Sequence, residues 1–196
     1  MKEKGLSKKK IVLFIVLGIL GFVIIFAAGL PLYGNYLASK EFPQKEQVML
    51  PPQPNGQKML IVYQPSSNSN ITEEVANKIA QGALEKGTEV KLMRPGNDAN
   101  IDLKDFDIIV FGTPWYFQPS KKLIDFMQKP GDYTSKKVVL YITCGGQDDP
   151  EMFEIMVKHL EGANIVGREL FHVEKEKHEA IFKNASDLGK KIGERW

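Results

Sequence analysis

The chain of 196 residues has little cysteine, little histidine and little net charge. Its single cysteine, Cys144, excludes a disulfide framework and any cysteine-rich zinc or iron–sulfur centre. The formal net charge of +2 is not that of a nucleic-acid-binding protein. The sequence also lacks a P-loop and a G-x-G-x-x-G motif. Its length allows one medium-sized domain with an appendage.

The sequence contains no grouping of acids, bases or metal ligands typical of a hydrolase or a metalloenzyme. His159, His172 and His178 do not have the spacing of metal ligands, so we predict surface or helix-end roles for them. We therefore predict no metal site and no catalytic acid–base residue.

The longest uncharged stretch runs from Ile11 to Leu30. Twenty residues make a helix of about 30 Å, which is the thickness of a hydrocarbon core, so the stretch predicts a transmembrane helix. A buried core helix is the first alternative. A cleaved signal peptide is the second, but its apolar region is usually shorter, and Ala27-Ala28-Gly29 and Leu37-Ala38-Ser39 fit a cleavage site poorly.

The basic residues are concentrated ahead of this stretch. Residues 1–10 carry a local charge of +4, which leaves −2 for the other residues. The positive-inside rule then predicts a single-pass protein of the cell membrane, with residues 1–10 in the cytoplasm and the remaining chain outside it. A lysine patch that touches anionic lipid is the alternative.

Residues 31–57 are rich in proline, and we interpret them as a semi-extended tether between the membrane and a domain at 58–196. Pro31 is expected to end the preceding helix.

The domain alternates two kinds of pattern. Short apolar runs typical of buried strands occur at Met59–Tyr63, Val90–Met93, Asp107–Phe111, Val138–Thr143 and Ile165–Val173. Four segments with helical spacing of apolar residues lie between and after them, and Gly87 is expected to end the first helix. This alternation predicts an α/β fold with a doubly wound, five-stranded parallel sheet.

Ligands of such sheets bind beyond the carboxyl ends of the strands, so the loops that follow strands are candidate sites. The loop after the first strand, Gln64–Thr72, is composed mainly of serine, threonine and amide residues. Such a loop before a helix can hold phosphate with N–H and hydroxyl groups. The alternative is a simple helix cap, in which Asn70 and Glu73 form a capping-box-like pair.

The other two loops have different compositions. Trp115-Tyr116-Phe117 follows the third strand, and such an aromatic cluster is suited to stacking on a flat ring, although at least one ring is expected in the core. After the fourth strand, Gly145-Gly146 allows close approach of backbone N–H groups to a ligand. Cys144 precedes these glycines and is either redox-active or, as we prefer, a buried thiol.

Two segments of the domain resemble the flavodoxin-like superfamily, which includes flavodoxins and NAD(P)H-dependent FMN and quinone reductases. These are the S-x-N-S-N-I-T loop with its helix and DFDIIVFGTPWYFQPSKKLIDFM. The resemblance covers about residues 58–195. It implies the strand order 2-1-3-4-5 and FMN as cofactor. The residues implied to bind FMN are Ser66, Ser67, Asn68, Ser69, Asn70 and Thr72 at the phosphate, Thr113, Pro114, Trp115, Tyr116 and Phe117 beside the isoalloxazine, and Thr143, Cys144, Gly145, Gly146 and Gln147 at its polar edge.

Three functions are compatible with these features. The first is a membrane-tethered FMN protein that exchanges electrons with a quinone-type molecule or a redox partner. The second is a related flavoenzyme with a specific organic substrate, and the third is an interaction module that has lost its flavin. A pure electron carrier is less favoured because the domain is not strongly acidic.

Overall fold

The computed structural model of the chain describes residues 8–96, 101–116, 118–128, 133–146, 151–173 and 177–194. Its elements, in chain order, are α1 (Lys8–Ser39), β1 (Glu46–Met49), β2 (Lys58–Tyr63), α2 (Ile71–Glu85), β3 (Glu89–Met93), β4 (Ile108–Pro114), α3 (Lys121–Met127), β5 (Lys137–Cys144), α4 (Met152–Val157), β6 (Asn164–His172) and α5 (His178–Gly193). A short 3-10 helix, Leu103–Asp105, precedes β4.

The strands form one sheet in the order β1-β3-β2-β4-β5-β6. The five strands β2 to β6 are parallel to one another, and their order is the predicted 2-1-3-4-5. The chain passes from β2 to β3 on one side and then to β4 on the other side of β2, so strand order reverses beside β2. The predicted α/β fold and strand order are therefore confirmed, and the reversal is the position at which such sheets bind ligands.

The sheet has six strands and not five, because β1 pairs antiparallel with β3 at the edge of the sheet. This strand lies inside the segment that we interpreted as a tether. The side chains of β1 are mostly exposed, so this strand lacks the buried apolar run by which the other strands were predicted. It is stabilised by pairing with the edge of β3 and by an ion pair of 3.1 Å between Lys91 Nζ and Glu46 Oε2.

Helix α1 also differs from the prediction, since it continues through Pro31 and ends at Ser39. A proline inside a helix removes one backbone hydrogen bond, which is tolerated in apolar helices when other contacts compensate. Here Gly34, Leu37 and Ala38 are buried against the domain, so packing beyond the proline stabilises the last turns.

Two apolar cores lie on opposite faces of the sheet. Successive residues of β2 alternate between them, as a strand with two buried faces requires. Ile61 packs with α2 and α5, whereas Leu60 and Val62 pack with α3 and α4. Helix α2 ends where predicted, because Gly87 adopts a φ of 85° and donates its N–H to the Leu84 carbonyl at 3.0 Å.

Helices α2 and α5 approach each other closely at two glycines. A Cβ atom added to Gly82 would lie 2.0 Å from the Ser186 carbonyl oxygen, and one added to Gly189 would lie 2.1 Å from that of Ile79. Because both obstacles are backbone atoms, a side chain at either position would force the two helices apart.

We predict that Gly82→Ala and Gly189→Ala each lower the free energy of unfolding by about 1–3 kcal/mol, despite the higher helix propensity of alanine. The measurement is chemical denaturation of the full chain in detergent. Gly167→Ala is the control, because a Cβ there meets its nearest atom, Val139 Cγ1, at 3.4 Å. Wild-type stability of both helix variants would show that α2 and α5 do not pack this closely.

Candidate functional site

Three predicted loops meet at the carboxyl edge of the sheet. Tyr63 at the end of β2 is paired with Gly112 of β4, and Pro114 of β4 is paired with Thr143 of β5. The register continues into the loops: Gln64 donates its N–H to the Gly112 carbonyl at 2.9 Å, and Trp115 donates its N–H to the Thr143 carbonyl at 3.0 Å. The parallel pairing therefore places the serine-rich loop, the aromatic loop and the glycine pair side by side.

The side chain of Tyr116 lies over the serine-rich loop. Its hydroxyl is 2.6 Å from Ser66 Oγ and accepts a hydrogen bond of 2.8 Å from the Ser67 N–H. Asn68 in turn donates its N–H to Ser66 Oγ at 3.3 Å. The backbone N–H and the hydroxyl of successive serines thus converge on one oxygen atom that belongs to another loop.

The hydroxyl of Ser67 is buried and has no hydrogen-bond partner within the described parts of the chain. A buried hydroxyl without a partner costs free energy, and native sites keep such groups where a ligand or water satisfies them. Together with the oxygen held by Ser66 and Ser67, this unused donor fits an oxygen-rich anion such as a phosphate monoester.

The alternative of a capping box at α2 is wrong. Asn70 precedes the helix, but across the residues described its side chain makes no capping hydrogen bond. Glu73, the expected partner, instead binds Lys45 Nζ at 2.6 Å and Arg94 Nη2 at 3.0 Å. These two cations neutralise a carboxylate that would otherwise repel an anion in the serine-rich loop.

Several predicted site residues lie beneath the surface of this edge. The hydroxyls of Thr72 and Thr143 are buried and 2.7 Å apart. Thr113 Oγ1, also buried, accepts the Ser120 N–H at 3.2 Å and donates to the Pro114 carbonyl at 3.0 Å. Their side chains fix the positions of the three loops.

The residues at the surface of the edge are polar or glycine. Asn68, Ser69 and Asn70 are exposed, as are Gly145 and Gly146. A Cβ atom added to Gly146 would meet no atom within 4 Å, so packing between the described residues does not require a glycine there. The space that the described residues leave above this glycine is compatible with the predicted approach of a ligand.

The two described aromatic residues of the loop point to different neighbours. Trp115 is half-buried and packs against the core under α3 and α4, while Tyr116 covers the serine-rich loop. Phe117 and Gln147, which were also predicted as site residues, lie outside the described residues.

The thiol of Cys144 is 3% exposed, in agreement with the preferred prediction of a buried cysteine. Its Sγ atom lies 3.7 Å from Nδ1 of His172 at the end of the neighbouring strand β6.

Sequence reasoning missed Tyr141 and Gly112. The hydroxyl of Tyr141 is buried and donates to the Thr72 carbonyl at 3.0 Å, which connects β5 to the first turn of α2. A Cβ atom at Gly112 would lie 1.9 Å from the Tyr141 ring, so only glycine leaves room for this contact. A tyrosine inside an apolar strand was the available signal, because a buried hydroxyl needs a partner.

The charges below the loop form one cluster. Burial raises the pKa of Tyr63 to about 12, and this hydroxyl lies beside Glu73 and Arg94. For Glu73, burial acts to raise the pKa, but the hydrogen bond from Lys45 and the neighbouring Arg94 outweigh it and lower the pKa below its ordinary value. Glu73 is therefore ionised at neutral pH and connects α2 to the segment before β1.

Comparisons with solved structures identify the same fold in other proteins. A flavodiiron core from Synechocystis sp. PCC6803 matches with a TM-score of 0.58 and 13% identity over 70% of this chain, which spans 35% of that one. Flavodoxin 2 from Bacillus cereus matches with a TM-score of 0.54 and 21% identity over 69% of this chain and 99% of that one. The Megasphaera elsdenii flavodoxin matches with a TM-score of 0.51 and 22% identity, covering 69% of this chain and 98% of that one.

No protein-family model matches the sequence, and no curated protein matches it. At the identities found, the solved structures establish that the chain has the flavodoxin-like fold, which the sequence resemblance implied.

We predict that Glu73→Gln lowers the melting temperature at pH 7, and that the difference from wild type shrinks as the pH falls below about 4. Because the pKa of Glu73 is lowered on folding, its stabilising contribution is complete above the pKa of an unfolded glutamate. It is lost as the pH falls through the lower folded value. Thermal melts across this range provide the measurement.

Glu74→Gln, at the next and exposed position, is the control and should change the melting temperature little. A deficit of Glu73→Gln that is as large at pH 3 as at pH 7 would contradict the ion-pair account.

Proposed function

We propose that this protein binds FMN at the carboxyl edge of its sheet and acts, attached to a membrane, in electron transfer or as an FMN-dependent oxidoreductase. The single observation that carries the proposal is the convergence of the Ser66 hydroxyl and the Ser67 N–H on one oxygen atom, beside the Ser67 hydroxyl, which has no partner among the described residues. This group of donors has the chemistry that a phosphate monoester requires.

The predicted site residues would provide for each part of FMN. Residues 66–70, directly before α2, would hold the phosphate. Trp115, Tyr116 and Phe117 would flank the isoalloxazine, and Gly145, Gly146 and Gln147 would approach its polar edge. When bound, FMN supplies the redox chemistry, so this chain needs no acid–base residue of its own.

A membrane anchor is supported by α1. Within the described residues, α1 is the helix that is long and apolar enough to cross a membrane. Side chains such as Phe22 and Ile25 are 66% and 73% exposed, which is unfavourable in water. Residues 34–38 pack on the domain, so the end of α1 is part of the folded protein. This packing favours an uncleaved anchor rather than a cleaved signal peptide.

The lysines before the span support a domain outside the cytoplasm. A quinone-type acceptor suits a protein that is anchored beside a bilayer, and the weakly acidic domain gives little electrostatic attraction for a basic redox protein.

One observation favours a second candidate, an interaction module of the same fold that no longer binds flavin. The hydroxyl of Tyr116 already occupies the donors of Ser66 and Ser67. In the FMN-binding account this hydroxyl is displaced by the phosphate, and in the alternative it closes the loop permanently.

Titration of the full chain in detergent with FMN and with riboflavin tests the proposal, because riboflavin lacks the phosphate. We expect FMN to bind with perturbed absorption bands at roughly 370 and 450 nm, and riboflavin to bind more weakly. Ser67→Ala should weaken FMN binding about tenfold or more, because it removes one hydrogen bond to a charged group. Riboflavin binding should be unchanged, because riboflavin has no phosphate. If neither FMN nor riboflavin binds, the result favours the interaction module.

Tyr116→Phe separates the two roles of this side chain, since it keeps the ring and removes the hydroxyl. If the hydroxyl competes with phosphate, the variant should bind FMN about 2- to 10-fold more tightly, the equivalent of one neutral hydrogen bond. Tyr36→Phe, an exposed tyrosine on α1, is the matched control. Weaker binding by Tyr116→Phe would mean that the hydroxyl contacts the phosphate itself.

A further inference from the structure

The last turns of α1, residues 34–39, and Lys40 directly after them contact both loops proposed to hold FMN. We call residues 34–39 the docked turn. Gln118, in the aromatic loop, donates its side-chain N–H to Asn35 Oδ1. Gln64, at the start of the serine-rich loop, donates its side-chain N–H to the Lys40 carbonyl, directly after the docked turn, at 3.2 Å. Within the docked turn, Leu37 and Ala38 are 8% and 3% exposed.

The chain that follows the docked turn stays on the same edge of the sheet. Glu41 is paired with Lys122, at the start of α3, at 3.0 Å. Arg94 donates to the Pro43 carbonyl at 3.3 Å, and Lys45 is paired with Glu73 at 2.6 Å. The helix end and its continuation are thus fixed at the carboxyl edge by contacts to α2, α3 and the end of β3.

The rest of α1 is not covered by the domain. From Val12 to Leu32, the large apolar side chains are exposed, so the described domain does not cover them. Ser39 lies nine positions beyond Leu30 along the helix, a rise of about 14 Å. A headgroup layer is about 5–8 Å thick. Tyr33 and Tyr36, 55% and 64% exposed, lie in this interval, where tyrosines of membrane proteins are enriched.

We infer that the docked turn holds the carboxyl edge of the sheet against the lipid headgroups, so that the candidate site opens onto the membrane surface. The occupant of this edge is the bilayer itself. The inference rests on the membrane anchor of the proposed function and not on FMN binding. It replaces the expected proline-rich tether, which would have let the domain stand tens of ångströms from the bilayer, with a short and fixed connection.

This placement limits which molecules reach the site. Amphiphilic molecules that partition into the headgroup layer approach the edge by diffusion in the plane of the membrane. A large soluble protein would have to enter the space between the domain and the bilayer.

Two labelling positions, one at the carboxyl ends of the strands and one at their amino ends, test the inference. Gly146→Cys places a fluorophore on the carboxyl edge, where a Cβ meets no atom of the described residues within 4 Å. Asp105→Cys places it at the opposite, amino end of the strands, at an exposed position. Native Cys144 is 3% exposed, so it should resist labelling. The full chain is reconstituted in nanodiscs, one copy per disc, and energy transfer to headgroup-labelled lipid is measured.

We expect the label at residue 146 to lie closer to the headgroups than the label at residue 105 by on the order of 10–20 Å, since a strand of seven or eight residues spans about 25 Å. Equal distances, or a closer label at residue 105, would overturn the inference. If the label at residue 146 is closer to the headgroups only in discs that hold two copies, the carboxyl edge packs against a second copy. That result would also overturn the inference.

A matched variant tests the role of the docked turn. Insertion of twelve Gly/Ser residues between Leu30 and Pro31 keeps both the span and the docked turn, but frees one from the other. The distance difference should collapse in this variant. If it persists, the domain binds lipid through its own surface, and the role given to the connection is wrong.

The anchor is tested separately by washing the membranes. Retention in high salt and release by detergent are expected for a spanning helix, whereas release by salt alone would remove both the anchor and this inference. Retention with equal label distances would overturn only the inference. The flavin titrations do not depend on either result.

Discussion

The candidate site depends on one buried hydrogen bond that joins β5 to the first turn of α2. The Tyr141 hydroxyl passes over Gly112 of β4 to reach the carbonyl of Thr72 in the first turn of α2, and the Thr72 and Thr143 hydroxyls pair beside it. Burial raises the pKa of Tyr141 well above its ordinary value, so the hydroxyl keeps its proton and remains a donor. This contact fixes the start of α2 against β5, and with it the serine-rich loop that ends there.

The five parallel strands could be predicted because the central strands β2, β4 and β5 are buried apolar runs and all five strands alternate with helical patterns. Their order was implied by the family resemblance. β1 and the end of α1 could not be predicted, since both are stabilised by partners distant in sequence. β1 depends on the edge of β3, and α1 continues past Pro31 because its last turns are buried on the domain. The local rule that proline ends a helix was outweighed by this packing.

The loops of the site were also predictable, because the carboxyl ends of parallel strands share one edge. The pairing inside them was not. The Tyr116 hydroxyl reaches residues 50 and 49 positions away, and Glu73 binds Lys45 in place of Asn70. These contacts depend on the register of β2 with β4 and on the position of the segment before β1 against α2. No local sequence pattern encodes either of them. Other long-range contacts, from Gln118 to Asn35 and from Gln64 to Lys40, connect the end of α1 to the site.

The proposed FMN site depends on the serine-rich loop holding the phosphate. Phosphorus NMR of FMN bound to the full chain tests this claim most directly, because a free phosphate monoester changes its protonation near pH 6. A phosphate held by the Ser66 and Ser67 donors should give a shifted resonance that stays constant between about pH 5 and pH 8. A resonance that titrates as it does in free FMN would show that the phosphate lies in water, and would contradict the account.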